Sequence, residues 1–137
     1  SDCIIAIEPP VFIVPSYTIL VPQLNEDGNE LSGLHTPGGL VPLATYTGWN
    51  LYNDEYGPTH LNAHMSGSFL PFPTDRATRE VSGDPRLSVE ERYASKAEYL
   101  GLLAAEAETL IEDGYLLDQD LREILAQAGE IWDYVTR

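Results

Sequence analysis

Three histidines, one cysteine and a run of alternating Asn and Asp are the residues whose types and spacing could do chemistry in this chain. His60 and His64 stand four apart, the spacing at which one helical face presents two imidazoles to a metal ion. A third ligand would have to come from Asp54, Glu55 or beyond. Leu61 follows His60, so the zinc-protease pattern H-E-x-x-H is not matched, and surface or capping roles are the plainer reading. His35 precedes Thr36-Pro37-Gly38-Gly39 in a loop where a base could be placed, but alone it names no reaction, and a hydrogen-bonded loop histidine is the expectation. Cys3 lies beside Asp2, an environment that disfavours a thiolate. Asn25, Asp27 and Asn29 alternate as calcium-loop oxygens do. An EF-hand requires Gly at its sixth position and Glu at its twelfth, where this chain has Glu30 and Thr36, so a tight polar turn is expected instead.

The glycines exclude further chemistry. A nucleophile elbow places Gly two residues either side of Ser because the strained turn leaves no room for a Cβ, and no two of the eleven glycines are four apart. The adjacent pair Gly38-Gly39 is followed by Leu40 and Pro42, which fits neither phosphate-binding loop. The sequence therefore offers no catalytic residue, no metal ligand set and no cofactor site.

The elements that position these residues follow from charge and proline. All seven basic residues lie from Arg76 onward, whereas residues 1–75 carry eight acids and no Lys or Arg. All ten prolines lie at or before Pro85, which disfavours long helices earlier and permits them later. The expected fold class is α+β: an irregular half with short strands and apolar loops (1–75) and a helical half (76–137), together one domain or subdomain. Residues 17–24 read as the best strand, with 25–30 as the turn and 31–34 as a possible return. Residues 40–51, broken by Pro42 and Gly48, read as buried loop rather than strand, and the Pro-rich run 68–73 leads to Thr74 or Asp75 as the cap of a short helix ending near Gly83. Ser88 with Glu91 and Ser95 with Glu98 have capping-box spacing, a helix is expected over about 96–112 with Gly114 as its stop, and Asp118 is expected to cap a last helix carrying the stripe Leu121, Ile124, Leu125, Ala128, Ile131, Trp132 and Val135. The two helices should form an antiparallel pair.

A net charge of −15 disfavours nucleic acid and anionic lipid as partners. The longest apolar stretch, 11–22, is interrupted by Pro15 and polar residues and falls short of the roughly 20 residues of a membrane span. One cysteine permits no internal disulfide, and nothing indicates a compartment. Ser1 reads as a processed end, an introduced one or a cut within a longer chain.

Residues 20–34 (LVPQLNEDGNELSGL), the string Val41-Pro42-Leu43-Ala44-Thr45-Tyr46-Thr47-Gly48-Trp49-Asn50-Leu51, then Gly67-Ser68-Phe69-Leu70-Pro71-Phe72, Ser82-Gly83-Asp84-Pro85-Arg86 and the closing helical pair resemble the C-terminal region of a family of uncharacterised alpha/beta-hydrolase-domain proteins. The similarity runs in one order over about 17–132, with the Tyr-Thr-Gly-Trp-Asn and Gly-Asp-Pro-Arg strings its most specific parts. It implies a piece of an α/β-hydrolase fold. In such serine hydrolases the elbow, the acid and a histidine in a Gly-Thr-Gln-His-like string precede the matched region, and none of these strings occurs here. His35 falls where the family has a basic or variable residue, so it inherits no catalytic role. The resemblance thus implies a C-terminal fragment or small subunit of a serine esterase, with another polypeptide carrying the catalytic core. Tyr46, Trp49 and Asn50 are the expected substrate-binding or interface residues, because Tyr and Trp combine a large apolar body with a hydrogen-bonding edge. A non-catalytic assembly subunit and a small acidic metal-binding module are the alternatives. The isolated chain is expected to hydrolyse no ester. Turnover of a p-nitrophenyl ester that survives in the purified chain and disappears on mutating one of its serines would overturn this.

Overall fold

The computed structural model describes residues 20–53, 55 and 66–137. His60, His64 and Cys3, and the first part of the 17–24 strand, lie outside the described residues. The architecture is α+β: one helical turn α1 (Pro37–Leu40), strand β1 (Ala44–Thr47), strand β2 (Ser68–Pro71), then α2 (Arg76–Ser82), α3 (Val89–Arg92), α4 (Lys96–Glu112) and α5 (Leu121–Val135). The strands pair antiparallel, with Thr45 opposite Leu70 and Tyr46 opposite Phe69.

The helical half follows its caps. Asp75 accepts from the Thr78 N–H to start α2, and Gly83, at φ 68°, takes the left-handed conformation that ends it. Ser88 and Glu91 form the full reciprocal capping box of α3. Ser95 accepts from the Glu98 N–H, while the Glu98 carboxylate reaches back to the Ala94 N–H, and α4 then runs over Lys96–Glu112 as the spacing predicts. Gly114 is left-handed at φ 80°. The start of α5 differs from expectation: Asp118 makes no side-chain cap but opens a 3-10 turn, Asp118–Asp120, and the helix begins at Leu121. The Lys96 ammonium meets Asp133 at 2.7 Å, so the first turn of α4 faces the last turns of α5 and the pair is antiparallel.

Two expectations for the first half are corrected. Part of the 40–51 segment is a regular strand, because Leu43, Ala44 and Thr45 are buried and the Pro42 and Gly48 breakers fall outside the four paired residues. The Pro-rich run is its partner. Pro71 ends that strand on the outer side, where no ladder N–H is required of it. Residues 31–34 do not form a returning strand; the turn closes with a single bridge between Leu24 and Glu30.

The core gathers Val41, Leu43, Phe72, Val89, Tyr93, Tyr99, Leu103, Ala128 and Val135. Tyr93, Tyr99 and Trp132 pack ring against ring at 5.2 to 6.1 Å, and the Tyr93 hydroxyl donates to the Pro42 carbonyl at 2.9 Å. The stripe of α5 is only partly covered: Ala128 and Val135 are buried, Leu121, Ile124, Leu125 and Trp132 are half-buried, and Ile131 is exposed.

Between α2 and α3 the Arg79 guanidinium holds Glu91 through two bonds of 2.7 and 3.0 Å, with both side chains about a fifth exposed. This contact, with bonds from Ser88, pulls the Glu91 carboxyl from the ordinary value of 4.5 down to about 2. A carboxylate whose folded value is depressed contributes stability that is fully present above its unfolded value and is lost as pH falls through the folded one. Unfolding free energy should therefore decline between about pH 4.5 and pH 2, and Glu91→Gln should flatten that part of the profile measured by urea denaturation.

Candidate binding cleft

The polar turn is the first piece of the site. Asn25 Oδ1 accepts from the N–H groups of Asp27 and Asn29, and Gly28 turns the chain at φ 78°. A Cβ on Gly28 would lie 3.1 Å from Thr45 Cγ2, so the turn is pressed onto β1. Buried Asn29 then stands in for a third strand: its Nδ2 donates to the Ala44 carbonyl at 3.1 Å and its Oδ1 accepts from the Tyr46 N–H at 2.7 Å. Asp27 faces inward too, bridged by both guanidinium nitrogens of Arg92, and its carbonyl accepts from the Thr45 hydroxyl. The alternating oxygens are thus spent on fastening the turn. Among the described residues no three His, Cys, Asp or Glu side chains gather as a metal-ligand set.

Held this way, the turn and α1 form one wall of a cleft of about 740 Å³, closed on the other side by α4 and α5 and at its back by β1. Its lining is apolar and aromatic, including Leu34, Tyr46, Tyr99, Leu103, Ile124 and Ile131, with Glu30, Ser32, His35, Thr36 and Gln127 supplying the polar groups. A shallower hollow of about 460 Å³ shares Tyr46, Gln127 and Ile131 and adds Phe69 and Tyr134. Tyr46, Phe69 and Tyr134 stack in sequence at 5.5 and 6.3 Å between centroids. Burial pushes the phenols of Tyr46, Tyr93 and Tyr99 above their ordinary value, Tyr93 to about 12, so all three remain protonated donors at neutral pH.

Of the three residues expected at a site, only Tyr46 lines the cleft. Trp49 and Asn50 lie outside it on an exposed loop, and Trp49 is 55% exposed. That loop is nonetheless held: the Trp49 carbonyl accepts from the hydroxyls of Thr47 and Ser68, and Asn50 Oδ1 accepts from the Leu51 N–H at 2.8 Å. His35 is in its expected loop and lines the cleft, but its ring makes no hydrogen bond among the described residues. Ser32 lies in the same lining, and no hydrogen bond joins it to His35, so among the described residues this pair does not form a nucleophile with its base.

A family model described as alpha/beta hydrolase domain matches residues 6–126. The chain belongs to the alpha/beta hydrolase domain family. No curated protein and no solved structure matches it significantly.

Sequence reasoning missed Tyr99 as a cleft residue, because its place at the head of the α4 apolar stripe reads equally as core. It also missed Arg86 and Arg92, which both stack on Phe72, at 5.2 and 4.1 Å from the ring centroid. The strictly one-sided distribution of basic residues was the available signal: acids in the first half must find their cations after residue 75. Asn29→Ala removes both side-chain bonds to β1 and leaves the Ala44 carbonyl and Tyr46 N–H without them, so it should cost about 3 kcal/mol of unfolding free energy. Asn29→Asp keeps an acceptor for Tyr46 and should fall between it and the native chain in denaturant midpoint.

Proposed function

We propose that this chain is the C-terminal part, or a small subunit, of an alpha/beta-hydrolase-like serine esterase, completing its fold and walling its substrate pocket while the nucleophile resides on another polypeptide. The observation that carries this reading is the family match over 6–126 in a sequence without an elbow serine. Exposed apolar side chains support it: Trp49, Leu51, Phe69, Leu70 and Tyr134 all keep more than a third of their surface open to solvent. The halves 1–75 and 76–137 act as one unit in this reading, supported by the Asp27–Arg92 pair that joins them.

The test is to express the complete reading frame containing this segment, or to combine the chain with the polypeptide encoded immediately upstream, and assay ester hydrolysis. Activity in the assembled protein and in neither part alone is expected. Full activity of the catalytic polypeptide without this chain would leave only an assembly role. Trp49→Ala should weaken association by about 2 kcal/mol, as for a central aromatic anchor, measured as a dissociation constant by calorimetry. An unchanged constant with altered activity toward a bulky ester would place Trp49 in the pocket wall instead.

A further inference from the structure

Among the polar groups of the cleft that no described residue engages, one is held in the core. Tyr99 is 2% exposed and lines the cleft, its ring clamped between Tyr93 and Trp132 at 5.2 Å from each. Its hydroxyl forms no hydrogen bond among the described residues, yet it is not among the sealed, unsatisfied polar atoms. The opening that reaches it is therefore the cleft it lines. A hydroxyl reached through a cleft and held in a rigid setting is a place where a ligand acceptor can take the place of solvent.

The surroundings define the acceptor's chemistry. No Lys or Arg lines the cleft, Glu30 stands at it, and the whole chain carries a net charge of −15. A carboxylate entering here would lose hydration without meeting a cation and would meet a carboxylate instead. Leu34, Leu103, Leu116, Ile124 and Ile131 offer an apolar bed for a body of drug-like size. We infer that the cleft between α1 and the α4–α5 pair binds an uncharged, largely apolar molecule with a carbonyl acceptor, such as an aryl or alkyl ester, and that the Tyr99 hydroxyl donates to that carbonyl.

This names the substrate class of the proposed esterase pocket and rests on that reading for its biological meaning, but the binding itself is a property of this chain. The phenol, which burial pushes further above an ordinary value already well beyond neutrality, is a donor across the neutral range. Its role is recognition: the acceptor is held, and no bond is made or broken here.

The experiment is calorimetric titration of the purified chain with hexanophenone, a neutral ketone that cannot be hydrolysed, and with 6-phenylhexanoate, which keeps the apolar body but carries a charge. Hexanophenone should bind at least tenfold tighter than the carboxylate. Tyr99→Phe, which breaks no internal hydrogen bond, should weaken hexanophenone about tenfold while leaving the denaturant midpoint nearly unchanged. Ile131→Trp, at an exposed position on the cleft, should also weaken it by filling the space. Absence of binding by the native chain, equal affinity for ketone and carboxylate, or undiminished binding by the folded Tyr99→Phe chain would each overturn the inference. Failure of the partner assay with ketone binding intact would remove the esterase reading alone, and loss of ketone binding with partner-dependent activity intact would remove this inference alone.

Discussion

Two guanidinium groups on one phenyl ring hold the halves of this molecule together. Phe72 lies in the core directly after β2, and Arg86 and Arg92 approach its ring from the segment around α3. Each arginine then uses its remaining donors on a different target. Arg92 binds Asp27 of the polar turn and the Leu87 carbonyl. Arg86 binds Asp84, the Thr45 hydroxyl and the carbonyls of Leu70 and Pro71. The side chains of both ion pairs are less than a fifth exposed, so the pairs are screened far less than surface pairs are. A planar fork that stacks and bonds at once suits this position, and an ammonium would serve only part of it.

The remaining architecture depends on that junction. With Asp27 fixed, the turn lies against β1, Asn29 takes the place of a neighbouring strand, and the β1 edge of the two described strands is covered. The turn, α1, which packs against α4, and the α4–α5 pair then share the lining of a cleft. Thr74 closes the other end by donating to the Val135 carbonyl at the end of α5. Polar fastening thus sets one wall of the cleft, and of the aromatic cluster of the core Tyr99 reaches its lining.

What the folded chain fails to cover is equally informative. The α5 stripe is half-open at Ile124 and Leu125 and open at Ile131, and the apolar surface continues across Tyr134, Phe69 and Leu70. The described helices include none long and apolar enough to cross a membrane. The chain is an alpha/beta hydrolase domain sequence with this apolar surface open to solvent.

The helical half was determined by local sequence. Asp75, Ser88 and Ser95 satisfy N–H groups within their own first turns, Gly83 and Gly114 end helices through a conformation that needs no Cβ, and the apolar spacing of 96–112 is periodic; each signal acts over a few residues and needs no distant partner. Asn25, Asp27 and Asn29 were legible as a turn for the same reason, whereas their anchorage was not. Strand pairing of Ala44–Thr47 with Ser68–Pro71, the seating of Arg86 and Arg92 on Phe72, the exposure of Trp49 and the free hydroxyl of Tyr99 were decided by tertiary structure alone. Each depends on groups brought together from more than ten residues away along the chain, and periodicity and composition carry no information about which of several chemically equivalent partners a chain closure of that length selects.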